Sequence, residues 1–245
     1  MFFILNKPKI YSYLVVFSTV LVLFFTAAVL TEENNLEVRT VSSISASSEK
    51  PIDKVNTEKK ILAITIDCVE NDQNIEKILE ILDKDSIKVT FCMYGEWVKK
   101  YPELVLKINE KGHNIANMSD SYIDISELNY DVVSKSMMEG EHKLSSLLKK
   151  EIKIFKCPYG KYGENIMNVA NDNSYTVIGY NIDTLDYQGI EANVIWDNIK
   201  NKITNGSIIA MNSNAEYIIE ELEIVIKSTK TREYQIVTVE ELINS

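Results

Sequence analysis

Strand-like and helix-like segments alternate along the chain from Lys60 to its end, and this alternation limits the possible folds more than any other feature. Short apolar runs rich in β-branched residues, such as ILAITI at 61–66, are followed by segments with apolar residues at helical spacing, such as 74–83. Such alternation is typical of an α/β fold with a parallel sheet, and about seven repeats favour a barrel over an open sheet. The predicted strands are 61–66, 88–93, 113–116, 152–155, 175–180, 207–211 and 234–237, and the predicted helices are 74–83, 102–111, 131–149, 164–171, 192–202, 215–227 and a short final one.

An uncharged apolar run occupies residues 10–30 near the amino end. As a helix that rises 1.5 Å per residue, this run spans about 31 Å, the thickness of one hydrocarbon core. Lys7 and Lys9 precede the run and two glutamates follow it, so the positive-inside rule places everything after the run outside the cytoplasm. We therefore predict a cytoplasmic stub and single-pass signal anchor at residues 1–30. A cleaved signal peptide is the alternative.

Residues 31–59 are predicted to be a linker, because they combine alternating charges with a serine-rich stretch and show no sustained apolar period. Residues 60–245 then form one domain. The formal net charge of −10 argues against nucleic acid as a partner, since phosphate binding needs an excess of lysine and arginine. The three cysteines are too few and too widely spaced for a disulfide framework, and the two histidines are few for a catalytic zinc site.

Polar and reactive side chains follow the predicted strands, which is where functional groups gather in α/β barrels. The segments concerned are TIDCVE at 65–70, VTFCMYG at 89–95, GHNIANMSDSY at 112–122, FKCPYG at 155–160, DTLDY at 183–187 and GSIIAMNS at 206–213. In order and spacing these segments resemble the polysaccharide deacetylase family (the NodB-homology family, carbohydrate esterase family 4). The resemblance runs from about residue 60 to residue 242. It implies a distorted (β/α) barrel of the polysaccharide deacetylase type, here preceded by one N-terminal transmembrane helix.

The resemblance also implies a divalent metal, usually zinc, held by one aspartate and two histidines. Cys68, Met118 and Tyr122 stand at those three positions. A thiol, a thioether and a phenol form a soft and poorly matched ligand set, and a tyrosine must lose a proton with a pKa of about 10 before it binds well. Asn212 replaces the histidine that acts as the catalytic acid, and an amide has no proton to lend near neutral pH. We therefore expect no bound cofactor metal and an inactive catalytic site.

Two carboxylates of the family's mechanism are retained. Asp67 matches the catalytic base, and Asp186 matches the residue that orients the catalytic histidine. Lys156 replaces the arginine of the family motif and is predicted to pair with Asp67, while Asn212 is predicted to hydrogen-bond Asp186, so that neither carboxylate lacks a partner. A glycosidase-like carboxylate pair made of the two aspartates is an alternative.

The predicted glycan-binding residues are Lys156, Tyr159, Tyr187 and Asn212, which all follow predicted strands. Aromatic faces stack on sugar rings, and Tyr122 would add a further ring to such a groove. Ordinary packing in the wall of the cleft is the alternative for the tyrosines.

Cys68 and Cys157 are both expected near this site. They could form a disulfide outside the cell, or could hold a soft metal such as Cu(I) together with Met118 and Met211. Small buried apolar side chains are the simpler interpretation. His113 matches a family position that is not a ligand, so it is predicted to be a structural histidine with its hydrogen bonds satisfied.

Three functions remain open at this stage. A degenerate deacetylase of a bacterium with a peptidoglycan wall would bind cell-wall glycan, or support a wall-modifying protein, without catalysis. A remodelled site would instead make the chain an active hydrolase of non-peptide C–N bonds that removes N-acetyl groups from peptidoglycan or a chitin-like glycan. A module that uses the fold for protein interaction alone is the third. The four substitutions at the metal ligands and the catalytic acid favour the first function.

Overall fold

The computed structural model describes residues 49–245, in which eight strands alternate with eight α-helices. The strands are β1 Ile61–Cys68, β2 Thr90–Met93, β3 Asn114–Asn117, β4 Ile154–Lys156, β5 Thr176–Ile178, β6 Ile182–Asp183, β7 Ile208–Asn212 and β8 Gln235–Val237. The helices are α1 Ile75–Lys84, α2 Gly95–Lys100, α3 Pro102–Glu110, α4 Tyr130–Leu148, α5 Glu164–Asp172, α6 Ala192–Ile199, α7 Ile218–Thr231 and α8 Val239–Ile243.

The predicted N-terminal transmembrane anchor lies outside the described residues. Within residues 49–245, none of the helices has the length and hydropathy that a membrane crossing requires. The predicted alternation of strands and helices is confirmed in this part of the chain. Only α2 and β6 were not predicted, because elements of six and two residues are too short to show a period.

The strands form one parallel sheet with the order β5-β4-β3-β2-β1-β7-β6, and β8 pairs with the start of β1. The central strand β1 is buried on both faces along nearly its whole length. Its unbroken ILAITI run follows from this position, since a parallel strand covered by helices on both faces needs apolar side chains on both.

The curled sheet is not closed by strand pairing, which corrects the predicted barrel in one respect. Among the described residues, β5 and β6 end the strand order and do not pair with each other. Part of the stretch predicted to be a linker lies at this gap: Ile52 bridges to Ile178 of β5, and Lys54 bridges to Ser207 next to β7. Backbone hydrogen bonds of 2.9 and 3.0 Å hold Ile52 there. The segment supplies partners for backbone groups that an open edge would leave unpaired.

Candidate active site

Parallel pairing brings the predicted site residues to one edge of the sheet. Asp67 at the end of β1 is in register with Cys92 of β2 on one side and with Asn212 of β7 on the other. Lys156 ends β4, and Asp186 begins the helical turn that follows β6. The carboxyl ends of the strands therefore form the candidate site, as the strand-end positions of these residues indicated.

The side chain of Lys156 reaches from β4 to Asp67. Its Nζ donates hydrogen bonds to Asp67 Oδ1 at 2.6 Å and to Thr65 Oγ1 at 3.1 Å, and it lies 5.2 Å from the centre of the Tyr180 ring. The lysine side chain is 1% exposed and the aspartate side chain 21%. Burial favours the neutral amine, but the Asp67 carboxylate, acting together with Cys92 and Asp183, outweighs this effect, and the pKa of Lys156 is raised. The structure thus contains the predicted ion pair.

Two of the positions that match the family's metal ligands are buried. Cys68 is fully buried, and this burial raises the pKa of its thiol well above the usual value, so the thiol stays protonated. Met118 is also buried, and its thioether packs in the main hydrophobic core. A protonated thiol and a core thioether are poor ligands for a hard or borderline divalent ion.

The third position is held by an aromatic ring that packs against other rings. The centre of the Tyr122 ring lies 5.2 Å from that of Tyr94 and 4.9 Å from that of Tyr159. Burial and the neighbouring Tyr159 raise the pKa of Tyr122 to about 12, so its phenol is protonated at neutral pH. The donor chemistry at all three positions therefore does not fit the family's metal.

Asp186 is held by the backbone of Asn212 rather than by its side chain, which corrects the predicted pairing. Asp186 Oδ2 accepts a 2.7 Å hydrogen bond from the Asn212 N–H, whereas Asn212 Oδ1 accepts one of 2.8 Å from the Asn214 N–H. The side chain of Asn212 caps its own turn because an amide oxygen readily accepts from the residue two positions on. Asp186 Oδ1 is buried and has no hydrogen-bond partner in residues 49–245. Burial raises the pKa of Asp186 to about 7.

Glu221 on α7 lies close to Asp186 and was not predicted as part of the site. It is fully buried, and neither of its carboxyl oxygens has a hydrogen-bond partner within the described chain. The nearby Thr184 hydroxyl donates instead to the Ala210 carbonyl oxygen at 2.9 Å. Burial, reinforced by the Asp186 carboxylate, raises the pKa of Glu221 to about 9. Glu221 is therefore protonated in the folded domain at neutral pH.

Three exposed tyrosines lie beside these groups. Tyr122 and Tyr159 are each nearly half exposed and contact each other, and the Tyr159 hydroxyl donates to the Tyr122 carbonyl oxygen at 3.4 Å. Tyr187 follows Asp186 and is 60% exposed. Part of each ring is thus exposed to solvent.

The three cysteines form no disulfide in the structure. All three thiols are free and buried. Cys68 packs in the main core with Met118 and Met211, whereas Cys157 belongs to a separate cluster with Phe155. The predicted disulfide alternative is wrong, and the four residues of the alternative copper set are divided between two clusters.

His113 lies at the other end of the sheet, just before β3. Its Nδ1 accepts a hydrogen bond from the Val89 N–H at 3.3 Å, and its ring packs edge-on against Phe91. Nε2 is buried without a partner in the described part of the chain, so only one ring nitrogen is satisfied. Burial lowers the pKa of His113 to about 4, which suits a neutral packing role.

The chain is similar to known proteins over most of its length. A family model described as polysaccharide deacetylase matches residues 54–178, about half of the chain. An uncharacterized protein of Bacillus subtilis, YlxY, is 28% identical over 208 residues, which cover 85% of this chain and 65% of that protein. A peptidoglycan-N-acetylglucosamine deacetylase of Bacillus cereus is 28% identical over 184 residues, which cover 74% of this chain and 67% of that protein. The chain thus spans about two thirds of the length of these relatives.

Solved structures share the fold. A CE4 family pseudoenzyme from Bacillus anthracis superposes with a TM-score of 0.76 at 24% identity, over 80% of this chain and 69% of that one. A mutant of that pseudoenzyme described as having restored enzymatic activity gives the same TM-score at 25% identity, over 80% and 72% of the two chains. The Bc1960 peptidoglycan N-acetylglucosamine deacetylase gives 0.75 at 25% identity, over 79% and 92%.

Proposed function

The chain belongs to the polysaccharide deacetylase family, and on this premise we propose that it is a non-catalytic member that binds cell-wall glycan. The observation that carries the proposal is the chemistry at the three metal-ligand positions. Cys68 and Tyr122 hold protonated groups, and Met118 is packed in the core. A divalent metal in this family polarises the acetamide and activates water, and these side chains offer it no suitable ligand set.

The position of the catalytic acid supports the same proposal. Asn212 cannot donate a proton to a leaving amine near neutral pH, and its amide oxygen is engaged by the Asn214 N–H. Asp67 keeps its place at the cleft but is neutralised by the Lys156 ammonium. The site thus keeps the carboxylate that matches the base but has neither a suitable metal-ligand set nor the catalytic acid.

The nature of the ligand is proposed from the relatives and from the surface. Relatives of this chain are described as peptidoglycan deacetylases, and another protein of this fold is described as a pseudoenzyme. The exposed faces of Tyr122, Tyr159 and Tyr187 offer a platform on which sugar rings can stack. We propose that an anchor at residues 10–30 holds the domain outside the cytoplasmic membrane, where it meets wall glycan or a wall-modifying protein.

Binding and turnover are tested together on the full chain in nonionic detergent. We expect it to co-sediment with purified insoluble peptidoglycan and to release no acetate above background. Tyr187→Ala should weaken binding about fivefold to tenfold, because truncating an exposed aromatic anchor removes its contact with the ligand. Met138→Ala, at an exposed residue of α4, is the matched control and should leave binding unchanged.

Two results would contradict the proposal. Stoichiometric zinc in the purified chain with measurable acetate release would favour an active deacetylase with a remodelled site. Failure to co-sediment, with the chain correctly folded, would favour a module that interacts with proteins alone.

A further inference from the structure

The lysines at the candidate site are each neutralised by one carboxylate. Lys156 pairs with Asp67, Lys161 pairs with Asp124 at 2.7 Å, and Lys143 pairs with Asp120. These three pairs contribute no net charge to the face. Its electrostatic potential is therefore set by the carboxylates that remain.

Two accessible carboxylates of this face form no ion pair within residues 49–245. Glu70 is exposed just after β1, and it acts electrostatically on Tyr122. Asp183 ends β6, is half-buried and acts on Asp67. Its oxygens accept only from neutral donors, the Leu185 N–H at 2.9 Å and the Tyr180 hydroxyl at 3.4 Å. These two carboxylates give the face an excess of negative charge.

The carboxyl group of Asp186 lies behind this surface and carries only part of a negative charge at neutral pH, because burial raises its pKa to about 7. Asp186 is 2% exposed, and one of its oxygens is buried without a hydrogen-bond partner in residues 49–245. Asp186 interacts electrostatically with both Asp67 and Asp183. Lys156 is the only cation among the described residues that acts on Asp67, and it also interacts electrostatically with Asp183, so one ammonium group faces two carboxylates. A cation entering beside Asp67 and Asp183 would relieve the repulsion among these groups.

We propose that this face prefers glycan whose sugars carry free amino groups, that is, glucosaminyl residues with an ammonium group, over N-acetylated glycan. Aromatic faces next to unpaired carboxylates are the setting in which ammonium groups bind well. The inference rests on the proposed glycan binding and specifies its ligand. It would make the chain a reader of the deacetylated sugar that a peptidoglycan-N-acetylglucosamine deacetylase leaves behind.

An N-acetyl group is neutral and gains nothing from Glu70 or Asp183, whereas an ammonium group gains a Coulomb attraction to each. For partly exposed charges this attraction corresponds to about a fivefold to tenfold preference in affinity. The preference should shrink when salt screens the charges, because the Debye length falls to about 3 Å at 1 M ionic strength.

The test compares a fully deacetylated glucosamine pentasaccharide with the N-acetylglucosamine pentasaccharide, at a pH where the amines are protonated. The full chain in nonionic detergent is titrated with each sugar by calorimetry, in low salt and in high salt. Glu70→Gln should lower affinity for the cationic sugar about threefold to tenfold and leave affinity for the neutral sugar unchanged. Glu223→Gln removes the same charge from an exposed site on α7 and should alter neither affinity.

The outcomes separate this inference from the proposed function. Preference for the cationic sugar that depends on Glu70 and weakens in salt supports the inference. Equal affinity for the two sugars, or equal effects of Glu70→Gln and Glu223→Gln, would overturn the inference and leave glycan binding standing. Binding of neither sugar, combined with no binding to peptidoglycan, would overturn both.

Discussion

The ammonium of Lys156 lies 2.6 Å from Asp67 Oδ1, and the two residues come from strands β4 and β1, which are 89 positions apart in the sequence. The lysine side chain is almost fully buried, whereas about a fifth of the aspartate side chain is exposed to solvent. The carboxylate that matches the family's base is thus held by a buried cation that the chain itself supplies.

Lys156→Met should lower the free energy of unfolding by about 2–4 kcal/mol, because it leaves the partly buried Asp67 carboxylate without its partner. Urea denaturation measures the loss. The double variant Lys156→Met/Asp67→Asn should lose less than the sum of the two single variants, since both charges are then absent. Lys161→Met, which removes the lysine of an exposed ion pair of similar length, should cost less than about 1 kcal/mol. Additive single effects would show that the ion pair is not structural.

Restoring the family's ligands should restore metal binding. In the triple variant Cys68→Asp/Met118→His/Tyr122→His, we expect zinc at a molar ratio near one by elemental analysis, because the strand ends would then present a hard-to-borderline ligand set. Adding Asn212→His should raise acetate release by about 10²–10⁴-fold over the triple variant, the usual contribution of a general acid. A cooperatively folded triple variant that binds no zinc would show that these positions do not converge on one site.

Glu221 should make the domain less stable as the pH rises. Its pKa in the folded domain is raised to about 9 from 4.5, so the stability that protonation provides is complete below pH 4.5 and is lost as the pH rises towards 9. Glu221→Gln removes this titration, so it should raise the melting temperature more at pH 8 than at pH 5. Glu223→Gln, on the same helix and exposed, is the control and should show no such difference. An increase in melting temperature that is equal at both pH values would contradict the raised pKa of Glu221.

The cysteine thiols should be unreactive until the domain unfolds, since all three are free and buried. Alkylation followed by mass spectrometry should add no label to the native chain and three labels in guanidinium chloride without reductant. The pKa of Cys157, raised by burial to about 12, further suppresses the reactive thiolate. Fewer than three labels in the denaturant would show that a disulfide forms.

The residue pattern alone predicts the order of the strands and helices and the positions of most site residues. Helical spacing and apolar strand runs are local properties, and parallel strands necessarily bring their carboxyl ends to one edge. The strand-end positions therefore predict that four residues are neighbours, namely Asp67, Lys156, Asp186 and Asn212. The sequence does contain a signal for Glu221, because this acidic residue lies within the apolar stripe of α7, next to Leu222.

Other features depended on distances between parts of the chain that no local pattern encodes. The gap between β5 and β6, and the place of Ile52 beside it, depend on how far the whole sheet curls. Asp186 bonds the backbone of Asn212, because the side-chain amide finds a nearer partner within its own turn. The sequence by itself determined the fold class, the family and the loss of metal ligands, since these depend on residue type and order. Only the tertiary structure decided which carboxylates are paired, which are buried and which face solvent, because burial and pairing arise from long-range packing.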